Sequence, residues 1–587
     1  MNDLQPPADP PAPLPAPSPA PSPTNAAPTE HFVTGDAARA LRELLPTLPV
    51  HDLTDVQVFD LDLLLDGSFA PVDRYLDKTA HATVCEAMAL PDGRIAPMPI
   101  PLDVSESTAR AAERAGRLAL RHPEGMTLAV VEVSGIYQVD VAAEARAIFG
   151  TDEPAHAGVA RHLMETSRWR VAGTVAGLEA APWHVFSRWR RHPCDVRAAI
   201  AAAGLERVVA FQTRNPLHRA HVDLTLRAME SADAGLLLHP VVGRTAPGDV
   251  DAGTRMRCAE AVLPRYPAGR VILAALPLAM RMAGPREAVW HATIRRNYGA
   301  THFIVGREHS SPGARPDGRP FYGPYDAQRL VASFGRDLGI TLLPFEERVC
   351  LPDSRTWVAR SEVPPGVEAL AVSGTELRRR LRAGEALPDW FTYPEVAAVL
   401  SGAFPPRVRQ GFAVYFTGLS GAGKSTVARI VAQRIEAIGT RRVTVLDGDY
   451  VRQVLSSGLG FSREDRETNL RRIAFVATEV VRHGGAVVCA AIAPFRAARR
   501  EAREQIEAVG GFVEVYVATP IEVCEARDRK GLYAKARAGL VKGFTGIDDP
   551  YETPERAEVV VGRPGERPSE AADAVMAHLV REGYLPA

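Results

Sequence analysis

Ala413-Val-Tyr-Phe-Thr417-Gly418-Leu419-Ser420-Gly421-Ala422-Gly423-Lys424-Ser425 is the stretch that decides the fold of the C-terminal part of the chain. A short β-favouring run, Ala413–Thr417, enters a GxxxxGK[ST] turn, and apolar residues then recur at helical spacing over Thr426–Ile438. A strand that passes through a glycine-rich turn into a helix bares backbone N–H groups toward phosphate oxygens. The lysine of such a turn reaches the terminal phosphates, and the serine hydroxyl meets Mg²⁺. Gly418, Leu419, Ser420, Gly421, Ala422, Gly423, Lys424, Ser425 and Thr426 are therefore the candidate ATP cradle, with Lys424 its catalytic cation. The plainer reading is a glycine-rich turn that binds nothing. The agreement of motif with flanking strand and helix argues against it.

Further on, a second predicted strand, Val443–Leu446, ends in Asp447-Gly448-Asp449. Carboxylates at a strand's C-terminal end in such a sheet are expected beside the phosphate loop, where they can hold magnesium or accept a hydroxyl proton, so Asp447 and Asp449 join Ser425 as candidate metal residues. A turn-forming Asp-Gly-Asp is the alternative. Arg452, Arg466, Asn469, Arg471 and Arg472 follow, read either as a solvated helix face or as the seat of a second anionic substrate.

Asp447-Gly-Asp-Tyr-Val-Arg452, Gly460-Phe-Ser, Asp465-Arg466 with Asn469-Leu-Arg-Arg472, Ala493-Pro-Phe-Arg496, Lys530-Gly-Leu-Tyr533 and Lys542-Gly-Phe-Thr-Gly-Ile547 together resemble adenylylsulfate kinase over most of residues 410–560. The resemblance implies that Arg452, Phe461, Arg466, Asn469, Ile492, Lys542 and Phe544 contact adenylylsulfate, with Phe461 and Phe544 sandwiching adenine and Asp449 the catalytic base that takes the 3′-hydroxyl proton. Tyr450 replaces a frequent Asn of that family. Ala493 replaces a Ser that can be phosphorylated. Relatives with a degenerate kinase-like tail lack a working phosphate loop, and this chain keeps one, which implies an active kinase.

The central chemistry begins where a predicted strand, Val208–Thr213, meets a helical pattern over His218–Met229. At the turn stands Gln212-Thr213-Arg214-Asn215-Pro-Leu-His218-Arg-Ala-His221. Two histidines three apart share a helix face near its N-terminus, where anions are already favoured. They can stabilise charge on a departing pyrophosphate, while Gln212 and Arg214 grip a tetrahedral oxyanion. The pair could equally be capping or core histidines. As half of a metal site it lacks a third ligand at a recognisable spacing.

The whole string resembles the ATP sulfurylase signature. His239-Pro-Val-Val-Gly243 with Thr245 and Pro247-Gly-Asp249, Arg281–Ala288, His302–His309, Phe321–Asp326 and Ser373–Arg378 agree with it. The resemblance implies catalytic roles for Thr213, Arg214, Asn215, His218 and His221. It implies sulfate on Gln212, Arg214 and the backbone near Ser310, and ATP on Gln212, Thr213, Arg214, Asn215, Gly306, Arg307, Glu308 and His309, with adenine near Arg348. Phe345 matches a position implicated in closing the site. Glu308 replaces the usual Asp, Ser310-Ser311 replaces Ala-Gly, and Ala246 stands where Lys is frequent.

Outward from these sites the chain of 587 residues is long enough for three or four domains. Residues 1–30 are rich in Pro and Ala and are expected to be disordered. Residues 31–200 mix predicted strands (Met126–Val133) with helix (Ser107–Leu120) and carry no catalytic motif; Gly67-Ser-Phe69 with Pro71 suggests, by the same resemblance, a PUA-like domain. The expected order is then a Rossmann-like nucleotidylyltransferase domain over 201–400, a linker over 401–410, and a P-loop kinase with a parallel sheet over 411–587, making the chain α/β and multidomain.

Net charge is −1, which offers no global field for nucleic acid. Six cysteines at 85, 194, 258, 350, 489 and 524 form no CxxC, so neither zinc nor disulfides are expected and a reducing cytoplasm fits. No apolar run suggests a membrane span, and no secretory signal is visible. The expected reaction sequence is ATP plus sulfate to adenylylsulfate and pyrophosphate, then 3′-phosphorylation by a second ATP, with Mg²⁺ in both steps and a homo-oligomeric enzyme. The alternatives are the first step run backwards to make ATP, or one half acting as a regulatory scaffold.

Overall fold

The computed structural model describes residues 28–182, 187–245, 249–372, 374–383, 385–528 and 531–586. Residues 1–27 of the proline-rich tail, Ala246, Pro247 and Gly248, Ser373 and Lys530 lie outside the described residues. The chain divides into two compact units, Met1–Ala371 with Pro388–Val399, and Val372–Leu387 with Leu400–Ala587.

The first unit opens on a mixed sheet of β1 (Val50–Asp52), β2 (Arg74–Tyr75), β3 (Leu102–Val104), β4 (Arg117–Arg121), β5 (Thr127–Gln138) and β6 (Trp169–Gly177), in the order β1-β4-β5-β6-β2 with β3 also on β6. The predicted helix over Ser107–Leu120 is shorter than its pattern. It covers Glu106–Ala115, and Gly116 ends it with φ 67 and an N–H bonded to Ala112 O at 2.9 Å. Arg117–Arg121 then pairs with β5. Leu, Ala and Arg favour helix, but this pairing buries Leu118, Ala119 and Leu120 almost completely and overrides the preference.

The second sheet of this unit is built from β7 (Val208–Phe211), β8 (Gly235–Leu238), β9 (Val271–Leu273), β10 (His302–Val305) and β11 (Thr341–Pro344). All its pairings are parallel, the arrangement of a Rossmann-like domain, and the order is β11-β10-β7-β8-β9. Every residue of β7, β8 and β10 is buried, the signature of strands covered on both faces by crossover helices. A two-stranded ribbon, β12 (Arg348–Cys350) with β13 (Trp357–Ala359), follows.

The second unit carries β14 (Phe412–Thr417), β15 (Val443–Asp447), β16 (Ala486–Ala490), β17 (Gly511–Val517) and β18 (Val559–Val561), all parallel, in the order β15-β16-β14-β17-β18. Alternate residues of β14 serve opposite cores. Phe412, Val414 and Phe416 pack with helix Lys424–Ile438 and helix Pro568–Arg581, while Ala413 and Tyr415 pack with helix Arg463–Arg482. Each fully buried aromatic here contributes about 1.5–3 kcal/mol of transfer free energy. The predicted linker is tied to this unit: the Arg441 guanidinium donates to the carbonyls of Arg407, Val408 and Gln410, and Arg407 pairs with Glu582 at 2.7 Å. Among the described residues no helix is long and apolar enough to cross a membrane.

Candidate active sites

In the central sheet the strand order reverses between neighbouring β7 and β10, so the segments leaving these strands diverge and open a crevice above their carboxyl ends. The predicted residues occupy its two banks. Gln212, Thr213, Arg214 and Asn215 follow β7, and Gly306, Arg307, Glu308, His309 and Ser310 follow β10. Thr213 Oγ accepts the Asn215 N–H at 2.9 Å and so folds the first turn. The Arg214 guanidinium lies 3.2 Å from Asp249 and 3.4 Å from the Ser311 carbonyl. Glu308 and Ser310 take φ of 55 and 53, left-handed conformations that cost a non-glycine residue on the order of 1 kcal/mol each and that concentrate at functional turns. Arg307 is exposed and pairs with Glu308 at 3.2 Å and Glu347 at 3.1 Å. Arg348, on β12, is held by Asp223 at 2.9 Å and by the Trp357 carbonyl.

His218 is the N-cap of helix Arg219–Ala232, and its N–H points at His221 Nδ1 at 3.4 Å. The rings lie 4.0 Å apart, and Phe391 stacks on His218 at 4.7 Å. Burial, then the neighbouring His221, holds the pKa of His218 well below its usual value; burial alone brings His221 to about 4. Both rings are thus neutral near pH 7, and each offers one N–H rather than a full charge. The capping reading and the anion-facing reading are compatible, because one ring edge closes the helix end while the other remains.

Three polar atoms on these two banks are buried without a hydrogen-bond partner: Gln212 Oε1, His218 Nδ1 and Ser310 Oγ. Orphaned buried polar atoms are rare and costly, so their gathering at one switch point marks a place built for a polar ligand.

In the second unit the predicted strand–turn–helix forms as read. Gly418 at φ 147 and Gly423 at φ 105 adopt backbone that other residues avoid, and a Cβ on Gly418 would meet the Val517 carbonyl at 2.7 Å. Lys424 Nζ donates to the carbonyls of Gly418 at 2.9 Å and Leu419 at 2.7 Å, spanning the loop from within. Thr417 Oγ and the Gly418 N–H both bond the Ile492 carbonyl, tying the loop to the end of β16. The Asp447 carboxylate accepts the Asp449 N–H at 3.0 Å. β16 separates β15 from β14, so these two carboxylates stand across the end of β16 from the loop and not beside it.

The Arg452 guanidinium bonds the Gly460 carbonyl at 2.7 Å and covers the exposed Phe461 ring at 4.4 Å. Arg466 pairs with Asp549 at 2.6 Å and donates to Thr545. Asn469 is buried with its Oδ1 unpartnered. Phe544 meets Tyr533 edge-on at 5.0 Å, and the Tyr533 hydroxyl bonds the Ser420 carbonyl at 2.9 Å. Lys542 is exposed. A cleft of about 600 Å³ beside the loop is lined by Leu419, Tyr516, Thr519, Ile547, Asp549 and Tyr551, a volume suited to a nucleotide.

Comparison with known proteins assigns three segments of the chain. Family models match residues 21–180 (PUA-like domain), 187–403 (ATP-sulfurylase) and 410–562 (adenylylsulphate kinase). The sulfate adenylyltransferase of Mycosarcoma maydis is 46% identical over 530 residues, covering 89% of this chain and 92% of its own. That of Neurospora crassa is 48% identical over 519 residues, covering 88% and 90%. The hexameric APS kinase from Thiobacillus denitrificans superposes with a TM-score of 0.79 at 34% identity, covering 96% of this chain and 99% of its own.

The chain belongs to the sulfate adenylyltransferase family. It is a transferase of two activities, ATP sulfurylase and adenylylsulfate kinase, which together activate sulfate.

In this chain the fold brings together the string after β7 and the string after β10. It sorts the arginine cluster of the kinase. Arg452 covers Phe461 and Arg466 reaches Thr545, next in sequence to Phe544, whereas Arg472 donates to the Leu455 carbonyl at 2.8 Å and Arg471 pairs with Glu467 at 3.8 Å and Glu501 at 3.5 Å, both on the surface. Sequence reasoning missed Asp249 beside Arg214, Asp549 beside Arg466, and Tyr533 under the loop. Asp249 and Tyr533 had a signal, their places in the quoted Pro247–Asp249 and Lys530–Tyr533 strings. It also missed a group in the N-terminal domain: Glu144 is buried, accepts from Arg170 at 2.6 Å and His162 at 3.2 Å, and lies 2.9 Å from His81, with Cys85 beside His81. Burial works to raise the Glu144 pKa, but bonds from His162 and His81 and the Arg170 charge hold it below the usual range. The Arg170 guanidinium already supplies the positive charge a metal ion would bring there.

Proposed function

We propose that the first unit joins sulfate to the α-phosphate of ATP with loss of pyrophosphate, that the second transfers the γ-phosphoryl of another ATP to the 3′-hydroxyl of the adenylylsulfate formed, and that flux runs in this direction. The observation that carries the first assignment is the trio of orphaned polar atoms, Gln212 Oε1, His218 Nδ1 and Ser310 Oγ, at the β7/β10 crevice. Gln212 and Arg214 would hold sulfate for in-line attack, and His218 and His221 would donate to the departing pyrophosphate. Sulfate is a weak nucleophile, so orientation and charge stabilisation supply the rate. Thr213, Asn215 and Gly306–His309 would hold the nucleotide.

In the kinase, Lys424 and the loop N–H groups would hold the transferred phosphoryl, and Asp449 would accept the 3′-hydroxyl proton. Arg452, Arg466, Asn469, Lys542, Ile492 and the Phe461/Phe544 pair would seat adenylylsulfate. Ser425, Asp447 and Asp449 are hard oxygen donors on either side of the β16 end, a donor set that suits Mg²⁺ arriving with ATP. Bound there, it would neutralise the β- and γ-phosphate charge. Six free cysteines, five of them buried, support residence in a reducing cytoplasm. The hexameric relative supports a homo-oligomer.

The test is direct. Purified protein is incubated with ATP, Mg²⁺, sulfate and pyrophosphatase, and the nucleotides are separated. 3′-Phosphoadenylylsulfate is the expected product; its absence under that pull would leave ATP synthesis as the favoured direction.

A further inference from the structure

Helix Gly284–Asn297 carries Glu287 and His291 one turn apart on one face, both fully buried. Glu287 is anchored, its oxygens accepting the N–H groups of Arg281 at 2.9 Å and Ala283 at 2.8 Å. Burial opposes its charge, but the bond to His291 and these N–H groups keep its pKa lowered, so it is ionised. His291 Nε2 stands 3.3 Å from Glu287 Oε1, and His291 Nδ1 stands 2.9 Å from His309 Nε2. Three side chains thus form a line from the helix interior to the bank of the ATP sulfurylase crevice.

The direction of the protons along that line follows from chemistry. His291 Nε2 makes no aligned hydrogen bond, but an ionised carboxylate 3.3 Å away only accepts and favours the tautomer that turns a proton toward it, so His291 carries its proton on Nε2. Burial keeps His291 neutral, which leaves a lone pair on its Nδ1, and His309 must then supply the proton from its own Nε2. His309 is neutral too: burial, then His291, Arg295 and Arg214, hold its pKa well below the usual value. A neutral ring protonated on Nε2 has a bare lone pair on Nδ1. Because the half-buried His309 turns its Nε2 edge in upon the helix, Nδ1 is the nitrogen left for the crevice.

We propose that Glu287 and His291 are positioning residues that lock His309 as a hydrogen-bond acceptor, and that this acceptor takes a donor group of the nucleotide, a ribose hydroxyl or the 6-amino group, and not a phosphate. A lone pair repels phosphate oxygens, and Arg214 on the opposite bank is the group suited to anions. The inference rests on the placement of ATP along Gly306–His309 proposed above.

The experiment follows ATP–pyrophosphate exchange in the presence of sulfate, which the kinase does not catalyse, with ATP, 2′-deoxy-ATP, 3′-deoxy-ATP and the triphosphate lacking the 6-amino group. The wild-type chain is expected to disfavour one of the three by about tenfold or more in kcat/KM, because a buried acceptor left unpaired is costly. Glu287→Gln keeps an acceptor for the Ala283 N–H, gives up the bond from the Arg281 N–H, and presents an amide N–H to His291, flipping both rings. It should raise KM for ATP about tenfold with kcat within about threefold, and should erase the discrimination. His291→Asn, with Oδ1 in the place of Nδ1, should retain it.

A wild-type chain indifferent to all three analogues overturns the proposal, as does a folded Glu287→Gln chain with unchanged KM and discrimination. If Glu287→Gln does not fold, the analogue series and His291→Asn decide: loss of discrimination in a folded His291→Asn chain overturns it. His309→Ala separates the levels. Unchanged KM in that variant defeats the placement of ATP, whereas raised KM with a silent Glu287→Gln defeats the relay alone.

Discussion

Lys424 and His221 sit in different units, and their chemistry makes opposite predictions. Lys424 Nζ spans the phosphate loop by bonding the carbonyls of Gly418 and Leu419, the place a phosphate-bridging cation occupies before its ligand arrives. Lys424→Ala should therefore lower kinase turnover by roughly 10²-fold or more and leave ATP–pyrophosphate exchange within about twofold. Loss of exchange in that variant would sink the assignment of two sites. His218→Ala or His221→Ala should do the reverse, lowering exchange roughly 10²-fold while kinase activity on supplied adenylylsulfate persists. His221 also has a pH signature. Its pKa in the folded chain is about 4 against an ordinary 6.5. Between those values the unfolded chain binds a proton that the folded chain refuses, so stability is intact above 6.5 and lost as pH falls toward 4, by up to about 3 kcal/mol from this residue. His221→Asn, whose Oδ1 can still accept the His218 N–H, should show a smaller acid loss in urea unfolding measured at pH 7 and pH 4.5. An equal loss in both chains would mean that His221 is not held neutral by the fold.

At the level of elements, what was legible in the sequence was what local pattern determines. The buried runs of β7 and β14 read as strands because nearly every residue is apolar, and the phosphate loop read itself from its glycines. Gly116 was the first failure. A helix-favouring run, Arg117–Arg121, becomes a strand only because β5 lies beside it, and nothing in five residues encodes that neighbour. The site failed in the same way. Glu287 and His291 lie at plain helical spacing, but their meaning depends on His309, delivered from another strand. Asp249, beside Arg214, is likewise visible only in three dimensions. Close approach between segments is also unreadable from pattern, and Gly243 tests it. After β8 and β9 the chain crosses itself, and a Cβ on Gly243 would stand 2.3 Å from the Leu278 carbonyl oxygen and 2.5 Å from its carbon. Backbone cannot yield as a side chain does. Gly243→Ala should destabilise the first unit by about 2–4 kcal/mol and lower its unfolding temperature and exchange activity together, with kinase activity spared. A variant of unchanged stability would mean that the two segments do not cross so closely.

For the molecule as a whole, the question is why two transferases share one chain. Adenylylsulfate is a phosphate–sulfate anhydride. Sulfate is a weaker base than phosphate and so a better leaving group, which makes forming this anhydride at the expense of a phosphate–phosphate one unfavourable. The intermediate stays scarce, and the second unit draws the first reaction forward only if it captures adenylylsulfate at low concentration. The Arg452, Arg466 and Phe544 cluster provides charge and stacking for such capture through bulk solvent, with no passage between units required. Lys424→Ala should accordingly yield only traces of adenylylsulfate unless pyrophosphatase is in excess. The stronger test keeps every chain full-length. A mixture of Lys424→Ala and His218→Ala chains, matched to the wild type in intact sites of each kind, supplies the same two activities on separate molecules. Transfer through solvent predicts the same steady rate of 3′-phosphoadenylylsulfate formation, since the sites of both kinds are matched, and a lag within about twofold of the wild type, since the lag depends on the kcat/KM of the kinase and the concentration of its sites. A wild-type lag several times shorter than that of the mixture would show that the intermediate passes between sites without release, and would give the fusion a kinetic role beyond matched expression of its two activities.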